Sequence, residues 1–285
     1  MNQRWFGRAS VLVSPDLLFL QARLGLARTL ALSAVLVMFA VTCAAQTNQT
    51  FRVMTYNIHH GEGLDQKVDL QRIADLVKSE QADIVALQEV DKGVQRTAQR
   101  DCPAELAQLT GMTCVFSNNY HFQGGEYGNA VLTRFPVRNW TNFHYRMLRP
   151  GEQRGLLQLT VDIHGRDLVF LNTHVDFRGD DTERLQNVAE ILELAPSWQG
   201  RPAILCGDFN DTPGSRMHQK LAQTFQDAWL AAGSGDGPTI PAEKPRKRID
   251  FIWVSKQPAI DVLKIRVPKS EASDHLPVVG EFRLR

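Results

Sequence analysis

Net charge is the first thing this chain is short of. Its 32 Lys and Arg stand against 31 Asp and Glu. Dropping the first 50 residues removes four Arg and one Asp, so the body carries 28 basic and 30 acidic groups, a net of −2. Such a body has no electrostatic footprint for tight, sequence-independent duplex binding. Cysteine is scarce too: four in 285 residues, with no CxxC and no Cys/His spacing that suits zinc. HExxH and GxSxG are also missing, which removes zincin and serine-hydrolase readings. No repeat, low-complexity tract or linker divides the body, so 51–285 is expected to be one domain of mixed α and β.

The one long apolar run is Leu30 to Ala45, with Arg23 and Arg28 before it and Gln46-Thr47-Asn48-Gln49 after it. A basic flank, an apolar stretch and small residues at Cys43 and Ala45 fit a secretory signal within 1–50, cut before Gln46. At about 16 residues the run is short for a spanning helix, though retention as an N-terminal anchor is the alternative. An exported protein is expected, whether periplasmic, secreted or envelope-anchored. In an oxidising compartment Cys102 and Cys114 are candidates for a disulfide, which the sequence does not require.

What is present is a series of short apolar runs that end in polar clusters. Phe51 to Ile58 reads as a strand ending at His59-His60, and Asp83 to Gln88 as a second that delivers Glu89. Residues 117–127, rich in Asn, Gly and aromatics, read as an exposed loop, followed by a strand from Gly128 to Thr133. Leu156 to Ile163 and Asp167 to Thr173 form a hairpin across His164-Gly165, ending at His174. Ala203-Ile204-Leu205 leads into Gly207-Asp208-Phe209-Asn210-Asp211. There, period-two alternation is expected to point Asp208 and Asn210 the same way. Later strands are Ile249 to Val254, Ile260 to Val267 and Val278 to Phe282, with the turn Ser273-Asp274-His275 before the last. Helices are expected after Asp69, around Pro103 to Leu109 and over Thr182 to Leu194.

Taken in order, the polar ends are Asn57, Glu89, Asn129, His174, Asp208 with Asn210, Asp250, and Asp274 with His275. Oxygen ligands dominate, a set for Mg²⁺, Mn²⁺ or Ca²⁺ rather than zinc or copper. Two histidines at separate strand ends supply acid and base candidates that titrate near neutral pH. Asp250, between Ile249 and Phe251, would be costly to bury without a partner. Taken singly, Asn57 reads equally well as a strand cap, and Glu89, His174 and His275 read more readily as a solvated charge and core or surface histidines; only Asp250 argues for a bonded role by itself. The inventory as a whole suits cation-assisted displacement at phosphorus.

The motifs carrying these residues are TYNIH at 55–59, LQEVD at 87–91, NTH at 172–174, GDFN at 207–210, RID at 248–250 and SDH at 273–275. In this order they resemble the endonuclease/exonuclease/phosphatase superfamily over the whole of 51–285. The resemblance implies the fold of deoxyribonuclease I, a four-layered α/β sandwich in which two packed sheets are flanked by helices. It further implies that Glu89 is the principal metal ligand, with Asn57 beside it and Asp274 in or near the shell. Asp208 and Asn210 would hold the scissile phosphate and the attacking or leaving oxygen. His275, oriented by Asp250, would activate water, with Asp208 the alternative base, and His174 would donate to phosphate or leaving group. Asn129 and Arg154 are candidate substrate-phosphate contacts or strand supports.

The NTH motif departs from the abasic-site enzymes, which disfavours a repair role. What remains is a monomeric Mg²⁺-dependent phosphodiesterase acting on nucleic acid or a phospholipid-type head group. The alternatives are a phosphomonoesterase and a non-catalytic module binding an anionic ligand. His59, His60 and His121 read as loop histidines, the run from Lys244 to Arg248 as solvated charge, and Trp140, Phe143 and Tyr145 as no true membrane hairpin.

Overall fold

The computed structural model describes residues 49–198 and 200–285. The apolar run at 30–45, its cleavage point and Cys43 lie outside these residues. The strands are β1 (Thr50–Asn57), β2 (Ile84–Lys92), β3 (Thr113–Phe122), β4 (Gly125–Thr133), β5 (Val137–His144) and β6 (Gly155–Ile163). They continue with β7 (Arg166–His174), β8 (Ala203–Asp208), β9 (Phe225–Asp227), β10 (Asp250–Ser255), β11 (Ile260–Arg266) and β12 (Val278–Leu284). One sheet runs β11-β12-β1-β2-β4-β3, the other β5-β6-β7-β8-β10-β9.

Alternation within single strands builds the layers. In β1, Phe51 and Val53 point between the sheets, as do Ile84 and Ala86 of β2, meeting Leu157, Leu159, Phe170, Ile204 and Ile252 from the other sheet. Their neighbours Met54, Tyr56, Val85 and Leu87 face outward onto α1 (Leu70–Ser79) and α2 (Cys102–Thr110). On the far side Leu171, Leu205 and Trp253 pack against α3 (Thr182–Leu194) and α4 (Arg216–Leu221) through Val188, Ile191, Met217 and Leu221. Strands buried on both faces read as continuous apolar runs because each successive residue meets a different core. The four layers are thus helices, sheet, sheet, helices.

The helices start where side chains satisfy the free amides. Asp69 accepts from Gln71 N–H ahead of α1, whose Leu70, Ile73, Ala74 and Val77 are buried. Asp101 caps α2, which stops at Gly111 with φ 69°.

Four expectations from the sequence change. Residues 117–127 are not a loop. They fall in the β3–β4 hairpin, which turns at Gln123 and Gly124, both with positive φ (45° and 82°). β3 is an edge strand that carries polar Ser117 and Asn119 even at buried positions, which disguises it. β2 does not end at Glu89 but continues to Lys92 after a register shift between Leu87 and Val90. Cys102 and Cys114 are free thiols in one apolar cluster with Leu106 and Met112. Arg248 is no solvated charge: it is buried and grips Asp227 with both terminal nitrogens, at 3.1 and 2.9 Å.

Beneath one end of the sandwich a polar seam ties the sheets together. Asn172 of β7 donates to the carbonyls of Leu87 (2.9 Å) and Ala130 (2.8 Å) and accepts from Gln88 (2.8 Å). The register shift in β2 is where those carbonyls become available to the opposite sheet. The seam fixes how the strand ends of the two sheets meet.

Candidate active site

Strand register places the acid–base groups side by side. β7 and β8 are parallel with His174 opposite Asp208, and β8 and β10 are antiparallel with Asp208 opposite Asp250. Gly207 makes the first pairing close, since a Cβ there would stand 2.0 Å from the Thr173 carbonyl oxygen. From the other sheet, Asn57 ends β1 and its Nδ2 donates to Asp208 Oδ2 (3.0 Å) and Glu89 Oε1 (2.9 Å). His275 reaches in from the loop before β12, its backbone amide held by Ser273 Oγ, which itself donates to the Asn57 carbonyl.

His275 Nδ1 is 2.9 Å from Asp250 Oδ2, and its Nε2 is 3.8 Å from Asp208 Oδ2. His174 Nε2 is 3.4 Å from the same Asp208 oxygen. Asp208, Asp250, His174 and His275 are all buried. For His275, burial opposes the charged ring, but the charge and hydrogen bond of Asp250, then Asp208 and Asp274, raise it to about 10. Burial and the neighbouring Asp250 raise Asp208 to about 7, against His275, the Asn210 amide and Asn57. Burial, Arg154 and His275 hold His174 well below its ordinary range. These shifts favour the charged ring of His275 and the neutral ring of His174, with Asp208 made easier to protonate between them. A charged His275 ring donates, which leaves Asp208, the alternative base, as the acceptor beside it.

Asn210 joins Asp208, though not by strand alternation. β8 ends at Asp208, and Asn210 sits in a left-handed turn (φ 49°) whose amide donates to Asp208 Oδ1 (2.9 Å). Asn tolerates that conformation better than most residues. Glu89 also has a left-handed backbone (φ 60°) at the β2 irregularity. It turns a partly exposed carboxylate into the cleft, with only Oε1 taken by Asn57 among the described residues.

The cleft holds about 380 Å³ and is lined by Glu89, His174, Asp208, Asn210 and His275 at its floor. Arg154, Glu152, Arg96, Tyr127, Tyr120, Phe122 and Phe177 form the rest of its wall. Arg154 is buried, 3.3 Å from Glu152, with its guanidinium over the Phe177 ring at 5.6 Å. Tyr120, Phe122, Tyr127, Arg96, Glu152 and Phe177 were not among the residues singled out from sequence. Three of them lie on the hairpin read as a loop, and the turn signal at Gln123-Gly124 was the available clue. A larger groove of about 1080 Å³, lined by Trp229, Pro238, Ile265 and Leu276 among others, contains none of the acid–base groups.

Three expected site residues move. Asn129 is fully buried and its amide donates at 3.4 and 3.5 Å to the carbonyls of Gly155 and Asn172, so it bridges strands and does not line the cleft. Asn57 offers its amide nitrogen, not its oxygen, to Glu89 and Asp208, while its Oδ1 accepts from His59 N–H (3.1 Å). In this arrangement it clamps two carboxylates while its oxygen is held by a backbone amide. Asp274 faces outward, 3.9 Å from His59 Nδ1, and is not in the cleft lining.

The donor set fits a hard divalent ion on Glu89. The ligand is a carboxylate open to the cleft, and Mg²⁺ commonly takes one or two such oxygens and fills its shell with water and substrate phosphate. Asp208, Asp250 and His275 also bring ligand atoms within 4.8 Å of one another. There, however, the Asp250–His275 hydrogen bond occupies the atoms an ion would need.

The sequence pattern of the Endonuclease/Exonuclease/phosphatase family matches residues 54–275. The uncharacterised protein YbhP of Escherichia coli K12 is 28% identical over 254 residues, covering 84% of this chain and 99% of YbhP. A 5'-tyrosyl-DNA phosphodiesterase of Caenorhabditis elegans is 28% identical over 194 residues, 64% of this chain and 48% of that protein. Among solved structures, an endonuclease/exonuclease/phosphatase from Beutenbergia cavernae superposes with a TM-score of 0.70 at 28% identity. That match covers 83% of this chain and 72% of the other.

Proposed function

The chain belongs to the Endonuclease/Exonuclease/phosphatase family, and from that premise we propose that it is a divalent-metal-dependent phosphodiesterase in which Asp208 prepares the attacking water. One observation carries the reading. Asp208 stands within 4 Å of two imidazole nitrogens and is clamped by Asn57, at the floor of a cleft that Glu89 also lines.

A Mg²⁺ ion on Glu89 would supply a Lewis acid for a phosphoryl oxygen. Asp208, raised towards neutrality, takes the proton of a water placed between it and Asn210. The His275 imidazolium, held by Asp250, donates to a non-bridging phosphate oxygen, where negative charge accumulates. His174, a neutral ring with one N–H and its Nε2 3.4 Å from Asp208, gives that proton to the phosphate or leaving-group oxygen. Arg154, 93% buried at the cleft wall, balances the charge of the second phosphate oxygen.

The near-neutral body supports a small or single-stranded ester over duplex DNA. The leader-like 1–50 supports export, with the enzyme acting on extracellular nucleic acid or a phospholipid-type head group as a monomer. The test compares bis-p-nitrophenyl phosphate with p-nitrophenyl phosphate, each with Mg²⁺ or Mn²⁺ and with chelator. Faster metal-dependent cleavage of the diester supports the proposal. Preference for the monoester would make the enzyme a phosphomonoesterase, and turnover of neither would refute catalysis at this site.

A further inference from the structure

The turn after β1 takes a backbone path that few sequences tolerate. His59 and His60 have φ of 43° and 47°, and Gly61 follows at 89°. Consecutive left-handed residues with a Cβ are disfavoured sterically and persist only where the surroundings enforce them. Adjacent side chains on a strand diverge to opposite faces. Here the bend does the reverse and brings the two imidazoles together, ring centres 4.5 Å apart.

Glu62 completes the group. One nitrogen of each ring and one Glu62 oxygen lie within 4.8 Å of one another, with His60 Nε2 at 3.5 Å from Glu62 Oε2. Ligand atoms at the corners of a zinc tetrahedron are separated by roughly 3.3 Å, given bonds of about 2.0–2.1 Å. Small side-chain rotations therefore close the set. Asp274 Oδ1, 3.9 Å from His59 Nδ1, stands as a further carboxylate. His60 is buried and its Nδ1 has no hydrogen-bond partner among the described residues, an uncommon condition for a polar atom. The side chains of His59 and Glu62 are about one-third exposed, at 35% and 31%, so an ion can reach them from solvent.

We propose that His59, His60 and Glu62 bind one zinc-class divalent ion, with Asp274 as outer carboxylate and water in the open position. Two imidazoles and one carboxylate favour zinc, cobalt or nickel over magnesium. The site is separate from the cation position on Glu89 and does not depend on the phosphodiesterase reading. It has a mechanical consequence: His59 N–H holds Asn57 Oδ1, and Asn57 clamps Glu89 and Asp208. An ion here braces the turn that sets the clamp.

The experiment titrates the purified protein with Zn²⁺ in excess Mg²⁺, against a chromophoric chelator, and repeats it with Co²⁺ read by its visible spectrum. One equivalent is expected. Affinity falls more than ~10-fold in His59→Asn and in Glu62→Gln, as loss of a direct ligand should do. Asn suits the left-handed backbone at 59, and circular dichroism checks that both variants keep the fold. Glu89→Gln binds as the wild-type protein does. Zinc uptake that is absent from the wild type, indifferent to His59→Asn and Glu62→Gln, or lost instead in Glu89→Gln overturns the assignment.

Discussion

Asp250→Asn separates electrostatics from shape at the centre of this site. Asp250 is fully buried, and its Oδ2 holds His275 Nδ1 at 2.9 Å. His275 rises from an ordinary 6.5 to about 10 in the folded protein. A raised histidine stabilises the fold fully below the unfolded value and loses that contribution as pH climbs through the folded one. At about 1.4 kcal/mol per pH unit, 3.5 units correspond to about 5 kcal/mol at pH 6. About 3 kcal/mol remains at pH 8, and almost none at pH 10. Asp208 shares in holding the proton, so Asp250→Asn should remove somewhat less, about 3–4 kcal/mol at pH 6, in line with the cost of breaking buried pairs. For a domain this size that is roughly 10 °C in Tm. The assay is thermal unfolding of wild type and variant from pH 6 to pH 10. The wild type should lose stability across that window and the variant only the smaller part that Asp208 sustains, the two curves converging at the alkaline end. A difference that is the same at pH 6 and pH 10 would refute the charged-imidazole account and leave only lost packing.

Glu89→Gln should raise the Mg²⁺ concentration needed for half-maximal turnover at least ~10-fold while leaving Tm in chelator within a degree or two, as metal titration of the rate and a melt would show. Asn172→Ala removes two donated bonds and one accepted bond from the inter-sheet seam. It should cost about 2–4 kcal/mol in urea unfolding, since the freed carbonyls stay buried. Arg248→Met strands the Asp227 carboxylate with only His218 (3.1 Å) and the Trp229 amide, for a loss of about 3–5 kcal/mol by the same measurement.

Much of the fold was legible because its central strands are apolar on both faces and end in polar residues. Val53 and Met54, or Ile204 and Leu205, belong to different cores, so the runs are unbroken in sequence. The same ends named Glu89, His174, Asp208, Asn210, Asp250 and His275 as a group, and the register brings them together. Edge structure was not legible. β3 buries polar Ser117 and Asn119 where an apolar strand residue would stand, so the segment looked like a loop, and with it went Tyr120, Phe122 and Tyr127 of the cleft wall. Asn129 misled for a related reason: a buried amide bonding carbonyls of the opposite sheet has the same sequence signature as a phosphate donor. Protonation was beyond sequence as well, because the state of His275 depends on two carboxylates from separate strands within 4 Å.

The most direct measurement is the rate of diester hydrolysis against pH for wild type and Asp208→Asn, with Mg²⁺ saturating. With Asp208 as base and His275 as charged donor, wild-type activity should rise through about pH 7 and fall only well into the alkaline range, while Asp208→Asn lacks that limb and loses on the order of 10²–10⁴-fold on the plateau above it. A variant that retains the wild-type rate and the same acid limb would place the base elsewhere and contradict the chemistry assigned to these strand ends.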